Sequence, residues 1–222
     1  RRLGGRAGLI LMLHTWTQRL TFHPHLHGII PGGVLSPDRK RWIGADRFFL
    51  PVGVIKQMFR GKFLALLRQA YQNGDIVYPD GQFNHLISTL YAMRWHVYLE
   101  RSFKNPIRVI KYLAAYTNRI AIANKRIISA QNGMVRFGYV QRSENGGIPK
   151  TERVEVADFI GRFMQHILPA RFVKIRYYGL LSNSVRTDLL PLCRKLLEKQ
   201  APEQSFLLRR AIAAEMLRFI DR

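Results

Sequence analysis

The 222-residue chain is short of three things, and each shortage excludes a class of function. It has one cysteine, Cys193, so an internal disulfide and a cysteine-built zinc site are both excluded within these residues. Cys193 falls in a helix-like stretch and is expected to be a small core residue. Apolar runs of membrane-spanning length are absent, and "GLILML" behind Arg1, Arg2 and Arg6 is too short, and lacks a cleavage pattern, for a signal peptide. Acid is the third shortage: 14 Asp+Glu stand against 36 Lys+Arg, a net charge of +22. Residues 1–37 carry no acid, and between Gly81 and Ser143 Glu100 is alone against ten Lys/Arg. Self-repulsion on that scale calls for a polyanion, and nucleic acid is the usual one. A merely solvated or ribosomal basic surface is the plainer alternative. A cytoplasmic protein without membrane contact is expected. The chain opens at Arg1, with no Met, inside an expected helix, and is therefore expected to be a fragment.

What is present suits one globular domain with a real core. "AGLILMLHTWTQRL" has helical spacing and predicts a helix ending near Leu20. "HLHGII" predicts a strand that "PGG" turns back into "VLSPDRKRWI" as a hairpin. Val52, Ile55, Phe59, Phe63, Leu66, Leu67 and Ala70 mark one face of a long helix stopped at Asn73-Gly74. A second helix in "FNHLISTLYAM" precedes a strand, "WHVYLE" (95–100). Pro106 opens the helix "PIRVIKYLAAYTNRI". "RIISA" and "MVRFGYV" form a hairpin around "QNG", followed by a polar loop at 143–152, the helix "VADFIGRFMQHIL" and the strand "RFVKIRYYG". The tail from Asp188 is helical in two pieces. The fold class is α+β: an antiparallel sheet with flanking helices over 1–186 and a helical C-terminal tail over 187–222. The hairpin near 26–43 and the strand near 94–100 are expected in one sheet, with the 106–118 helix packed against it.

Two motifs carry chemistry. In "TFHPHLHGII", His25 and His27 project to the same side of a strand, about 7 Å apart along it, close enough to converge on one ion. His-x-His alone is weak evidence, since such pairs are more often packed or exposed histidines. His23 lies beyond Pro24, which marks a ladder edge, and is either a third ligand or a group supporting the ligands. If an acid completes the site it is Glu100, or it lies upstream of Arg1. In "KYLAAYTNR", Tyr112 and Tyr116 share a helix face, about 40° apart, with Arg108 and Arg119 within about 40° of Tyr112. Ile110, Leu113, Ala114 and Thr117 occupy the opposite, apolar side. Such tyrosines are often an aromatic rim. Beside arginines in a phosphate-seeking protein, they also suit attack of a phenol oxygen on a phosphodiester, with a histidine-held divalent ion and the arginines neutralising charge.

The two motifs together resemble the two-tyrosine HUH endonucleases. More narrowly, "FHPHLHGIIPGGVLS", "FFLPVGVIKQMFRGKFLALLRQAY", "IKYLAAYTNRIAI" and "VKIRYYGLLSN" resemble blocks of the IS91-type (IS91/ISCR) transposases across most of the chain. The resemblance implies metal ligands at His25 and His27, with His23 as a candidate third, and nucleophiles at Tyr112 and Tyr116. It implies Mg²⁺ or Mn²⁺, a 5′-phosphotyrosine intermediate on single-stranded DNA, and rolling-circle-like movement. Arg108, Lys111, Arg119 and Arg176 are the candidate DNA-binding residues. Three features depart from the family: its cysteine-rich zinc segment and its early strand have no counterpart here, and Asn118 stands where a basic residue or histidine is common. A non-catalytic DNA-binding remnant and a basic RNA-binding protein are the competing readings.

Overall fold

The computed structural model describes residues 4–45, 51–79, 81–99, 107–110, 113, 121–143 and 146–200. They divide into two compact units, one built around residues 45–102 and the other from residues 4–44 together with the chain after 103.

The larger unit is founded on β1 (Gly8–Trp16), the stretch whose spacing suggests a helix. It is instead the middle strand of a three-stranded antiparallel sheet, with β2 (Phe22–Ile29) on one side and β8 (Ile175–Gly179) on the other. As the middle strand it carries apolar side chains on both faces, Met12 buried on one and Leu9, Leu11 and Leu13 half-buried on the other, so Leu9–Leu13 is a continuous run rather than an alternation. A run of that kind does not separate strand from helix by period. Gly179, at φ +64, ends β8 where an added Cβ would strike the Ala7 carbonyl, so only glycine closes that edge.

The expected hairpin divides as well. β2 pairs with β1, while β3 (Gly33–Leu35) pairs with β4 (Trp42–Gly44) in a separate ribbon. Leu35 of that ribbon packs with Leu180, Leu189 and Cys193. The last two lie on α4 (Arg186–Gln200), which carries Pro191 within its helix. Cys193 is buried as expected, and burial pushes its thiol pKa up.

A second three-stranded antiparallel sheet comprises β5 (Ile127–Gln131), β6 (Met134–Ser143) and β7 (Gly146–Glu155). Asn132 and Gly133, at φ 52 and 70, make the tight turn expected from "QNG". β7 occupies most of the stretch expected to be loop. Its sequence, GGIPKTERVE, has little apolar content because β7 is an edge strand with one exposed face. On the inner face Val135, Phe137 and Val154 pack with Leu20, Ala121 and the flanking Trp16, Phe159 and Phe163. Phe159 and Phe163 belong to α3 (Val156–Met164). Fully burying a side chain such as Phe137 is worth about 1.5–3 kcal/mol, so this cluster anchors the second sheet. At its rim Glu152 accepts from Arg19 (2.7 Å) and Arg162 (3.0 Å), and Arg162 also pairs with Asp158 (2.8 Å).

In the smaller unit, α1 (Val52–Gln72) and α2 (Phe83–Ala92) pack through Leu64, Phe83 and Ile87. The buried face of α1 therefore runs through Leu64, with Leu67 and Tyr71 beside it, while Phe59 and Phe63 are over 40% exposed. The strand expected at 95–100 is absent from its described part: residues 94–99 are irregular. Trp95 instead lies against Phe59 and Phe63 and donates Nε1–H to the Leu90 carbonyl (2.8 Å). Packing against the helices thus takes up the residue that gave the segment its strand-like character.

Candidate metal centre

Strand register assembles the site. His14 of β1 sits opposite His25 of β2, and Met12 sits opposite His27. Directly opposed residues of an antiparallel pair share a face, and so do residues two apart on one strand. His14, His25, His27 and Met12 therefore share one face. Each of the three histidines offers a ring nitrogen, and these atoms all lie within 4.8 Å of one another.

Each ring is held differently. His14 is buried and stacks on Trp16, with centroids 4.5 Å apart and 16° between planes. The His25 Nδ1–H donates to the His23 carbonyl at 2.7 Å, which leaves Nε2 with its lone pair. That Nε2 faces the Nε2 of His27 at 3.1 Å. A proton can bridge two nitrogens at this distance; so can a cation, since two ligands about 2.1 Å from one ion at right angles lie about 3 Å apart. The His14 and His27 rings are 4.5 Å apart. Lys174 lies over the Trp16 ring, its Nζ 4.9 Å from the centroid, and burial lowers its pKa.

A fourth histidine lies behind the site with a different role. His166, buried just after α3, donates Nε2–H to the Leu20 carbonyl (3.0 Å), so its Nδ1 accepts from the Thr15 hydroxyl (3.2 Å). Leu20 has φ 62, a left-handed conformation that costs a non-glycine residue energy. Its fully buried side chain and its hydrogen-bonded carbonyl hold it there, closing the tight connection from β1 to β2.

The structure thus brings His25 and His27 together as their alternation implies, and adds His14, which the sequence reading missed. The signal for it was "HTWT", where polar and aromatic residues interleave at the end of an apolar run. His23 stands outside the cluster, and its carbonyl accepts from His25 Nδ1. Glu100 lies outside the described residues, as do Tyr112, Tyr116, Lys111 and Arg119. Residues 107–110 and Leu113 are helical, consistent with the expected helix, and Arg108 is exposed on it. Arg176 is exposed on β8 but pairs with Leu11, on the face of the sheet opposite the histidines.

Residues 8–188 match the Y2_Tnp family, described as "Putative transposase". The chain belongs to this transposase family. It is 38% identical over 214 residues to "Putative transposase y4qJ" of Sinorhizobium fredii (strain NBRC 101917 / NGR234), covering 92% of this chain and 54% of that one. It is 27% identical over 216 residues to the transposase for insertion sequence element IS801 of Pseudomonas savastanoi pv. phaseolicola, covering 91% and 50%. The chain thus spans about half the length of these relatives. Membership agrees with the IS91-type resemblance of the motifs. No solved structure matches the chain. Among the described residues, no helix is long and apolar enough to cross a membrane.

Proposed function

We propose that the chain is the DNA-cleaving part of a transposase, which nicks and rejoins a single strand through a tyrosine phosphodiester beside a metal held by His14, His25 and His27. The observation that carries this reading is the convergence of three ring nitrogens, contributed by two neighbouring strands, in a chain of the transposase family with 22 excess positive charges.

The donor set fits a divalent transition ion. His25 is locked in the tautomer that leaves Nε2 free to ligate, an arrangement typical of metal-binding histidines. By ligand type imidazoles favour zinc or copper; of the two ions the resemblance implies, they suit Mn²⁺ better than Mg²⁺, which prefers an oxygen-rich octahedron. When bound there, a divalent cation neutralises charge on the non-bridging oxygens of a phosphodiester. The remaining chemistry falls to the chain's own residues. The phenol oxygen of Tyr112 or Tyr116 loses its proton and bonds to phosphorus. The bond from phosphorus to the 3′ oxygen breaks, and that oxygen leaves as a 3′-hydroxyl after taking up a proton. The energy of the broken ester is kept in the 5′-phosphotyrosine, so a second hydroxyl can displace the tyrosine and rejoin the strand. Arg108, with Lys111 and Arg119 nearby in the sequence, supplies cations for the same phosphate.

The test is a covalent adduct. Incubated with single-stranded DNA from the ends of its element and Mn²⁺ or Mg²⁺, the protein is expected to form a denaturant-resistant protein–DNA species. Tyr112→Phe/Tyr116→Phe should abolish it while DNA binding persists. If both tyrosines attack in turn, each single variant still cleaves but fails to complete transfer. An adduct that persists in the double variant contradicts the mechanism.

A further inference from the structure

We infer that the outer face of the β5–β6–β7 sheet is a second DNA contact, gripping the phosphate backbone of duplex DNA between Arg136 and Arg153. This inference rests on the reading of the protein as DNA-acting, but not on the tyrosine chemistry.

The register places Arg136 of β6 directly opposite Arg153 of β7. Val135 and Val154 are paired one position along and are buried inside, so the two arginines share the outward face, and both are exposed. Like charges directly opposed across an antiparallel pair are destabilising. Yet neither guanidinium has an ion-pair partner among the described residues. The inner side of the same hairpin shows the contrast, for there Glu152 joins Arg19 and Arg162 in one network. The two outward arginines border a cleft of about 190 Å³ whose other walls are Ser129, Gln131, Asn132 and Met134. Two cations and three neutral polar side chains around one cleft suit a phosphodiester: the arginines supply charge-assisted donors, and the hydroxyl and amides supply further ones. Glu155, the acid on this face, is paired with Met134 at the sheet's end.

The choice of duplex follows from what shares the face. Sequence-tolerant grip on single strands uses aromatic platforms for stacking bases. By register, the outward residues of β6 from Met134 to Val140 and of β7 from Gly147 to Glu155 include no aromatic side chain. Phosphates without stacking describe the outside of a double helix, the form in which DNA flanks a nicked strand.

The experiment measures affinity for a 20-base-pair duplex as a function of salt, comparing the unaltered protein with Arg136→Gln/Arg153→Gln. Lys195→Gln/Lys199→Gln, on exposed positions of α4, is the control for the loss of two charges. The arginine variant is expected to bind the duplex about tenfold more weakly at low salt. Its slope of log affinity against log salt should shrink by about 1 to 2, as each lost phosphate contact removes about 0.9. Arg136→Lys/Arg153→Lys should restore most of the slope. Melting temperature should hold or rise in the Gln variant, because a repulsion is relieved. A slope that falls equally in the α4 control, one that does not change, or a Gln variant that unfolds overturns the proposal. If no tyrosine adduct forms but the slope still falls only in the arginine variant, the catalytic reading fails and this one stands.

Discussion

Two groups of histidines lie at the same end of β1 and are treated in opposite ways. His166 has each ring nitrogen committed to a protein oxygen, one from Thr15 and one from Leu20. His14, His25 and His27 have ring nitrogens within 4.8 Å of one another, and the Nδ1–H of His25 donates to the His23 carbonyl. Satisfying a buried imidazole with oxygens fixes the backbone around it. Bringing imidazole nitrogens together instead creates a spacing that one divalent ion can span. Histidine count or spacing cannot separate these roles; the partners of the ring nitrogens do.

The difference is sharpened by removing one histidine of each kind. His27→Ala should have the largest effect, reducing tyrosine–DNA adduct formation at least about 100-fold, since disturbing even the groups behind metal ligands costs 10–100-fold. Because His27 is half-buried on the sheet's outer strand, stability should change by less than about 1 kcal/mol, read by thermal melting. His166→Ala should behave in reverse. It strips hydrogen bonds from two buried partners and frees a strained Leu20, costing about 1–3 kcal/mol and several degrees of melting temperature. Metal should still bind to that variant. Equal loss of metal in both would erase the distinction.

A smaller effect concerns pH. Hydrogen bonds from Arg19, with Arg162 adding to them, hold the Glu152 carboxyl below the usual carboxylate range despite the opposing effect of its burial. A lowered folded pKa means that its contribution is full above the ordinary carboxylate pKa and is lost as pH falls through the lowered value. Glu152→Gln should therefore be less stable than the unaltered chain near neutrality. The gap should close on acidification, by melting temperatures from pH 7 down to 3. A gap that stays constant over that range would remove Glu152 from the pH response.

These contrasts also explain what was legible in the sequence. His25 and His27 could be paired from alternation alone, because the side-chain period of two survives in an outer strand with one exposed face. The β5–β6 hairpin was readable from Asn132-Gly133, a turn with a strict backbone requirement. α1, α2 and α3 followed from apolar spacing, although the buried side of α1 passes through Leu64 rather than through the exposed Phe59 and Phe63. His14 was hidden because a middle strand that is apolar on both faces loses its alternation and takes on the look of a helix. β7 was hidden for the opposite reason: an edge strand rich in Gly, Lys, Glu and Arg looks like a loop. Trp95 shows a third obstacle, since its strand-like neighbours gave no hint that the ring would lie against α1.

The central claim is that His14, His25 and His27 together hold one divalent ion, and it is tested most directly by counting that ion. Manganese titrated into the metal-free chain and followed by electron paramagnetic resonance should show one tight site, absent from both His14→Ala and His27→Ala and retained in His166→Ala. An unaltered chain that binds no manganese, zinc or other divalent ion at this stoichiometry, or a His14→Ala chain that keeps its site, would contradict the account.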